Sequence, residues 1–314
     1  MMMAQHRATA RGNGRSLARS RPRYGELVVK ALLLAAALLS IATTIGIVGA
    51  LLEPTIEFFQ AVSIGEFFGS TSWGPLFNPP SFGVWPIIVA TLEITVIAIV
   101  VAVPLGLASA IYLSEYATPR VRKIFKPVLE VLAGVPTVVF GFFALTFVTP
   151  LLKDWFPFLN LEGKNALAAG LMVGVMIIPI VASMSEDAMS AVPNSLREGS
   201  FALGASKMVT SVRVVVPAAF SGIIAAVILA ISRAAGETMI VVVAAGSRSI
   251  FTFNPANEMA TMAAFIAQAG AGDNPVGSIG YKTIFAVGTL LFLMTFAMNW
   301  FSARMVQKYR EVYD

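Results

Sequence analysis

The chain has 314 residues, 57% apolar and only 12% charged, with a formal net charge of +5 and a mean hydropathy of +0.80. Soluble domains carry about 25% charged residues, so the composition excludes a large soluble core and predicts an all-α polytopic membrane protein. There is no cysteine, and the single histidine is His6, which excludes disulfides and thiolate metal sites.

Residues 1–26 hold His6 and six arginines among Gly, Ser and Ala, a composition expected to stay disordered as a basic tail. The membrane-spanning body is expected over 27–314. Ala31–Leu52 is 22 residues of apolar sequence, longer than the roughly 7–15 of a signal-peptide core, and reads as an uncleaved first span over 27–52. The connector that follows places Glu57, Gln60 and Ser63 about every third residue among Ile56, Phe58, Phe59 and Val62. That spacing predicts a short interfacial helix. Trp73, Phe77, Phe82 and Trp85 are placed in an aromatic belt.

The second span is expected at 86–116 with a kink at Pro104. A short loop helix begins at Thr118-Pro119. Further spans are read at 128–152, interrupted by Gly134-Val135-Pro136, and at 166–192, 218–245 and 281–302. Met259–Ala269 is only 11 residues, too short for about 30 Å of hydrocarbon, and reads as re-entrant or interfacial.

Six spans place both termini on one side. The termini, the 118–127 loop and the 193–217 loop carry 17 of the 22 Lys and Arg residues; Lys153, Lys164, Arg248 and Lys282 lie opposite. By the positive-inside rule both termini are expected in the cytoplasm. The basic balance is therefore topological and gives no reason to expect a nucleic-acid partner.

The loop between spans four and five, 193–217, has its own signals. Ser195-Leu-Arg-Glu198 reads as a capping box. Gly204 offers a left-handed stop, Ser206 can cap a second short helix, and Pro217 closes it. The Gly199-xxxx-Gly204-Ala205-Ser206 spacing is that of a phosphate-binding loop. It lacks the Lys that reaches the phosphates and follows no strand, so no ATP site is expected in this chain.

Four ionisable residues are read inside spans: Glu93, Glu130, Arg233 and Glu237. Such residues are functional hypotheses by default. Arg233 and Glu237 are i and i+4, hence on one helical face. Counting the helical rise from the ends of their spans puts Glu93 and Arg233 near one depth. An ion pair with a purely structural role and an anion path are both open on spacing alone. Gly236 between them would let a neighbouring backbone approach.

Glu198, Gly204, Val214, Val216 and Pro217 resemble the coupling loop of bacterial ABC importer permeases, with Gly199 and Ser200 in place of the family's two alanines. Arg233-Ala-Ala-Gly236-Glu237-Thr238-Met239 resembles a motif of phosphate-specific members of that family, and Met239 matches the C-type rather than the A-type subunit. The stretches 102–117 and 129–145 agree. The resemblance implies the type I importer fold of six transmembrane helices with a cytoplasmic coupling helix-turn-helix, in the bacterial plasma membrane among its lipids. It implies four partners: an A-type permease, two ATPase subunits that carry ATP and magnesium, and an extracytoplasmic phosphate-binding protein. This chain would bind no cofactor and catalyse nothing itself. Glu198, Gly204, Ser195, Ala205 and Pro217 would serve ATPase coupling; Arg233, Glu237, Thr238 and Glu93 would line the substrate path. The alternatives are an A-type subunit, a permease for another oxyanion, a self-sufficient secondary transporter, which would show an internal repeat, and a membrane enzyme, which would show clustered ligands or nucleophiles.

Overall fold

The computed structural model describes residues 24–309. Most of the expected basic tail, 1–23, lies outside them, but Tyr24–Glu26 are already helical. The chain divides into two units, Met1–Gly49 and Ala50–Asp314. Five helices are long and apolar enough to cross a membrane, and a sixth span follows if one sharply bent helix pair is counted as one.

Span one runs from Tyr24 to Ala61 and passes through Pro54. No separate interfacial helix forms at Glu57, Gln60 and Ser63. The apolar run continues helical instead, and Ser63 caps the next short helix, Ile64–Gly69, by accepting from the Glu66 N–H at 3.1 Å. Trp73 and Phe82 do not form a belt. They pair across a two-stranded antiparallel ribbon and are buried. Phe58 meets Phe67 and Phe82, and Trp73 meets Phe265, all edge to face with ring centroids 5.0–5.7 Å apart. Mutual burial in that geometry outweighs the interfacial preference of these rings.

Span two, Trp85–Tyr116, stays helical through Pro104 and ends in a π turn, Tyr112–Tyr116. The loop helix capped by Thr118 extends from Pro119 to Ala133 with no buried residue. The third span therefore starts later than expected, at Thr137, and runs to Trp155. The reason is local: Pro136 removes a backbone donor and biases Val135 away from helix, so the break beginning at Gly134 separates two helices and does not merely kink one. Glu130 consequently lies on the amphipathic helix, outside the span.

Span four, Ala166–Ser190, is capped by Asn165, whose side chain accepts from the Ala168 N–H at 2.8 Å. After it come a short helix Asn194–Ala202 and a helical stretch Lys207–Ala218 that bends by 71° into Phe220–Ala235. The expected continuous span over 218–245 is broken a second time, at Gly236–Thr238, before Met239–Ala244. Met262–Ala271 is a short helix with half of its residues buried. The Thr91 hydroxyl of span two accepts from its Met262 N–H at 3.0 Å. Span six, Ile279–Tyr309, is longer than its sequence estimate.

Spans two and four form the central pair. A Cβ on Gly174 would lie 2.9 Å from the Ala98 carbonyl oxygen, and one on Gly106 would lie 2.7 Å from Val181. Ala98, Ala102, Ala110 and Ala182 are fully buried. Small residues at this seam let the backbones approach, which is how helices associate when lipid removes the hydrophobic drive.

Candidate functional site

The break in span five creates the first site. The helix ends at Gly236, and Glu237 turns its carboxylate into the gap. Oε2 accepts from Arg233 Nη1 at 2.7 Å. Oε1 accepts from the N–H groups of Met239 at 3.1 Å and Ile240 at 3.3 Å. Glu237 thus satisfies two of the donors that a new helix leaves open while holding a guanidinium. Its side chain is 2% exposed, whereas that of Arg233 is 42% exposed. Arg233 Nη2 reaches the sulfur of Met176 on span four at 3.7 Å, a weak acceptor. The Thr238 hydroxyl donates to the Gly236 carbonyl at 3.3 Å.

The half-helix Met239–Ala244 rests on span three at Gly141. A Cβ there would lie 3.0 Å from Val243 Cβ, 3.2 Å from Ile240 Cα and 3.3 Å from the Met239 carbonyl oxygen. A Cβ here would press on all three, so Gly141 lets the half-helix that follows Glu237 lie close against span three. The sequence reading missed it. Gly236 does not admit a neighbouring backbone: among the described residues its only close atom is the Ser232 carbonyl of its own helix.

Glu93 is not part of this constellation. It lines a cleft of about 410 Å³ with Val89, Leu92, Val96, Ile97, Phe253 and Pro255, and Arg233 is not in that wall. Its Oε2 is buried and has no hydrogen-bond partner among the described residues. Equal depth along two helices says nothing about azimuth, which is why depth counting joined two residues on different faces.

The 193–217 loop forms the expected hairpin by other means. Pro193 occupies the N-cap position of Asn194–Ala202, with no side-chain cap. The Ser195–Glu198 capping box does not form, and both residues are exposed, because the helix starts two residues too early for Ser195 to cap it. Gly204 takes φ +81°, the left-handed stop. The Ala205 N–H donates to the Ser200 carbonyl at 3.2 Å. Ser206 caps the second helix through the Val209 N–H at 3.4 Å, and the Ser200 and Thr210 hydroxyls join the two arms at 2.9 Å. Pro217 does not end the second helix, which continues to Ala218 before its bend. Leu203 is 90% exposed, with Met208 and Phe201 also exposed: an apolar tip on a rigid hairpin, the form of a docking element.

Charges that fasten this end of the molecule were also missed. Glu186, 1% exposed on span four, accepts from Arg122 Nη2, from Lys126 Nζ at 3.1 Å and from the Ser190 hydroxyl at 2.9 Å. Lys126 also pairs with Asp187 at 2.6 Å. That carboxylate, joined by Glu186, holds the Lys126 ammonium above the usual lysine range against the burial that lowers it. Arg197 of the hairpin pairs with Glu115 at the end of span two at 2.9 Å. One sequence signal was available. Glu186 and Asp187 lie in the last turns of a helix, where the dipole disfavours acids, so cations had to be brought to them. Arg122 and Lys126 have the i, i+4 spacing to do it.

The binding-protein-dependent transport system inner membrane component family matches residues 102–307. A probable ABC transporter permease protein, YqgH of Bacillus subtilis, is 36% identical over 264 residues, covering 83% of this chain and 84% of that protein. The phosphate transport system permease protein PstC 1 of Mycobacterium tuberculosis is 32% identical over 290 residues, covering 81% and 85%. Among solved structures, a chain of the bacterial alginate ABC transporter in complex with alginate pentasaccharide-bound periplasmic protein matches at TM-score 0.66 and 13% identity, over 93% of this chain and 98% of that one. That likeness establishes the type I importer permease fold.

Proposed function

The chain belongs to the binding-protein-dependent transport inner membrane component family, and from that premise we propose that it is the C-type permease subunit of an ATP-driven phosphate importer. The observation that carries the reading is Arg233. A planar, permanently charged donor sits at a break in a membrane helix, anchored by Glu237 yet still accessible from the face of the single chain. A guanidinium in that setting is suited to the oxygens of an oxyanion. The 32% identity to a phosphate permease over most of both chains favours phosphate.

In this reading the accessible face of Arg233 is completed by a second, A-type permease. Two ATPase subunits, which carry ATP and magnesium, dock beneath the pair against the exposed Leu203–Met208 tip. A phosphate-binding protein delivers substrate to the opposite face. The excess of Lys and Arg on the hairpin side supports a cytoplasmic hairpin and cytoplasmic termini. Closure of the ATPase dimer moves the hairpin, the span bundles rock, and access to Arg233 alternates between the two sides. Gly204 and Ala205 shape the docking tip; Thr238 and Glu237 shape the substrate end. The A-type subunit is the second reading, and Met239 directly after Thr238 weighs against it.

The test is purification of the tagged chain from its native membrane, followed by identification of every co-eluting protein and uptake of labelled phosphate by the reconstituted assembly. An ATPase, a second permease chain and ATP-dependent phosphate uptake are expected. Recovery as a homo-oligomer that transports without nucleotide would overturn the proposal. ATP-dependent uptake of a different oxyanion would overturn the phosphate assignment alone.

A further inference from the structure

Arg197 is a residue of the hairpin whose hydrogen bonds reach both members of the central pair. It is 15% exposed at its side chain and its partner Glu115 5%. Nη2 donates to Glu115 Oε1 at 2.9 Å and to the Met189 carbonyl at 2.8 Å, Nε donates to the same carboxylate at 3.3 Å, and Nη1 donates to the Val192 carbonyl at 2.6 Å. One side chain therefore holds three segments: the π turn ending span two, the carbonyl end of span four, and the hairpin helix. Lys207 of the hairpin's second arm adds a contact to the same π turn, 5.1 Å from the Tyr116 ring centroid.

The path continues inward. Spans two and four are seated on each other at Gly106 and Gly174, so a force on either end is carried by both. Met176, 13 residues before Met189 on span four and about 20 Å away at the helical rise, is the residue whose sulfur meets Arg233 Nη2. Closing the end of span four would need only the two carbonyl contacts. The carboxylate contact does something else, since it fixes the hairpin to span two. Two N–H donors on one carboxylate fix orientation as well as distance. A pair this well buried adds little net stability once desolvation is counted, so its geometry is the better reason for its presence.

We infer that Arg197, through Glu115, is a positioning residue for transport: a strut that makes the hairpin and the two-four helix pair move as one body, so that displacement at the ATPase face reaches Arg233. The inference rests on the permease reading above. It predicts a specific defect, in which the hairpin still docks and ATP is still hydrolysed but the motion is not delivered.

The test uses the whole reconstituted complex carrying Glu115→Met or Arg197→Met, with complex recovery, ATP hydrolysis and labelled-phosphate uptake measured on the same preparations. Glu115→Met, similar in size but with no oxygen acceptor, leaves Arg197 on the two carbonyls and removes the carboxylate tie to span two. It should assemble and hydrolyse ATP while uptake per ATP falls about tenfold, within the usual range of coupling between sites. Arg197→Met should lose at least as much. The strut is refuted if Glu115→Met keeps uptake per ATP within about twofold of the unmodified complex, or if hydrolysis and uptake fall together in proportion to the complex recovered. Absence of any ATPase from the unmodified preparation would instead remove the permease reading on which the strut depends.

Discussion

The geometry at Glu237 makes the two halves of the Arg233–Glu237 pair unequal, and that inequality can be measured. Arg233→Gln leaves a carboxylate that is 2% exposed with two backbone donors and no cation. Breaking a buried pair typically costs about 3–5 kcal/mol. Here the cation was 42% exposed and the two N–H donors remain, which discounts the loss to about 1–3 kcal/mol. Glu237→Gln is milder, because its amide oxygen can still accept from Met239 and Ile240 and the guanidinium it releases is partly solvated. A cost of up to about 1 kcal/mol is expected. The double variant removes the orphan charge and should be more stable than Arg233→Gln alone, so the cycle should be non-additive by about 1–2 kcal/mol. Transport should not follow stability. Both variants lacking Arg233 should assemble with their ATPase but take up labelled phosphate only at background. The assays are thermal or denaturant unfolding of the purified complex and uptake in proteoliposomes. A double variant as unstable as Arg233→Gln would refute the account of the pair. A double variant that transports near the unmodified rate would make Arg233 structural.

Four further outcomes follow from particular contacts. Gly141→Leu forces a side chain against Val243, Ile240 and the Met239 carbonyl, an overpacking cost of about 1–3 kcal/mol; uptake should collapse while the ATPase still co-purifies, and normal uptake would detach Gly141 from the site. Gly204→Val places a branched residue at φ +81°, a strain of about 1–2 kcal/mol or more, and should reduce ATPase recovery, whereas Gly204→Asn should be tolerated; equal recovery of both variants would contradict the docking role. In this cysteine-free chain, Val276→Cys, at a position 85% exposed, should react with an impermeant maleimide from outside intact cells, and Leu203→Cys only once the inner face is opened; the reverse pattern would invert the topology. Because Asp187 and Glu186 raise the Lys126 pKa, their attraction is complete below the ordinary lysine value of about 10.4 and disappears as pH rises through the raised one; unfolding midpoints should show an alkaline loss above that range that is smaller in Lys126→Met, and identical profiles would remove Lys126 from the contact.

Much of the architecture was legible because it rests on patterns one helix long. Apolar runs bounded by turn residues located the second and fourth spans to within two residues, whereas the first and sixth run nine and seven residues past their expected ends, the third starts nine residues late and the fifth is broken. Thr118, Ser206 and Gly204 act locally and behave as their neighbours imply. One failure was local, and the others came where the deciding partner is distant in sequence. Ser195 and Glu198 have the letters of a capping box, but Pro193 ends the preceding segment in extended backbone and starts the helix early. Trp73 looks interfacial until Phe265, almost two hundred residues on, arrives to bury it. Glu93 and Arg233 matched in depth, yet which way each faces depends on how spans two, four and five pack, and no single-helix count contains that.

The second break in span five bears on a question that spacing left open, whether Arg233 and Glu237 merely neutralise each other. Within a continuous helix an i, i+4 pair can share all its charge between the two side chains. At a break the carboxylate has other partners. Oε1 of Glu237 is occupied by the N–H groups of Met239 and Ile240, and only Oε2 faces the guanidinium. Arg233 has five N–H donors; one contact goes to the carboxylate and one to the Met176 sulfur, and no other acceptor reaches it among the described residues. The positive end of the Met239–Ala244 half-helix offsets part of the Glu237 charge. The constellation as a whole therefore retains donors and positive potential toward the accessible face. An unbroken helix would have left a self-satisfied pair. The break leaves an arginine that is anchored at one nitrogen and still exposed on its other side.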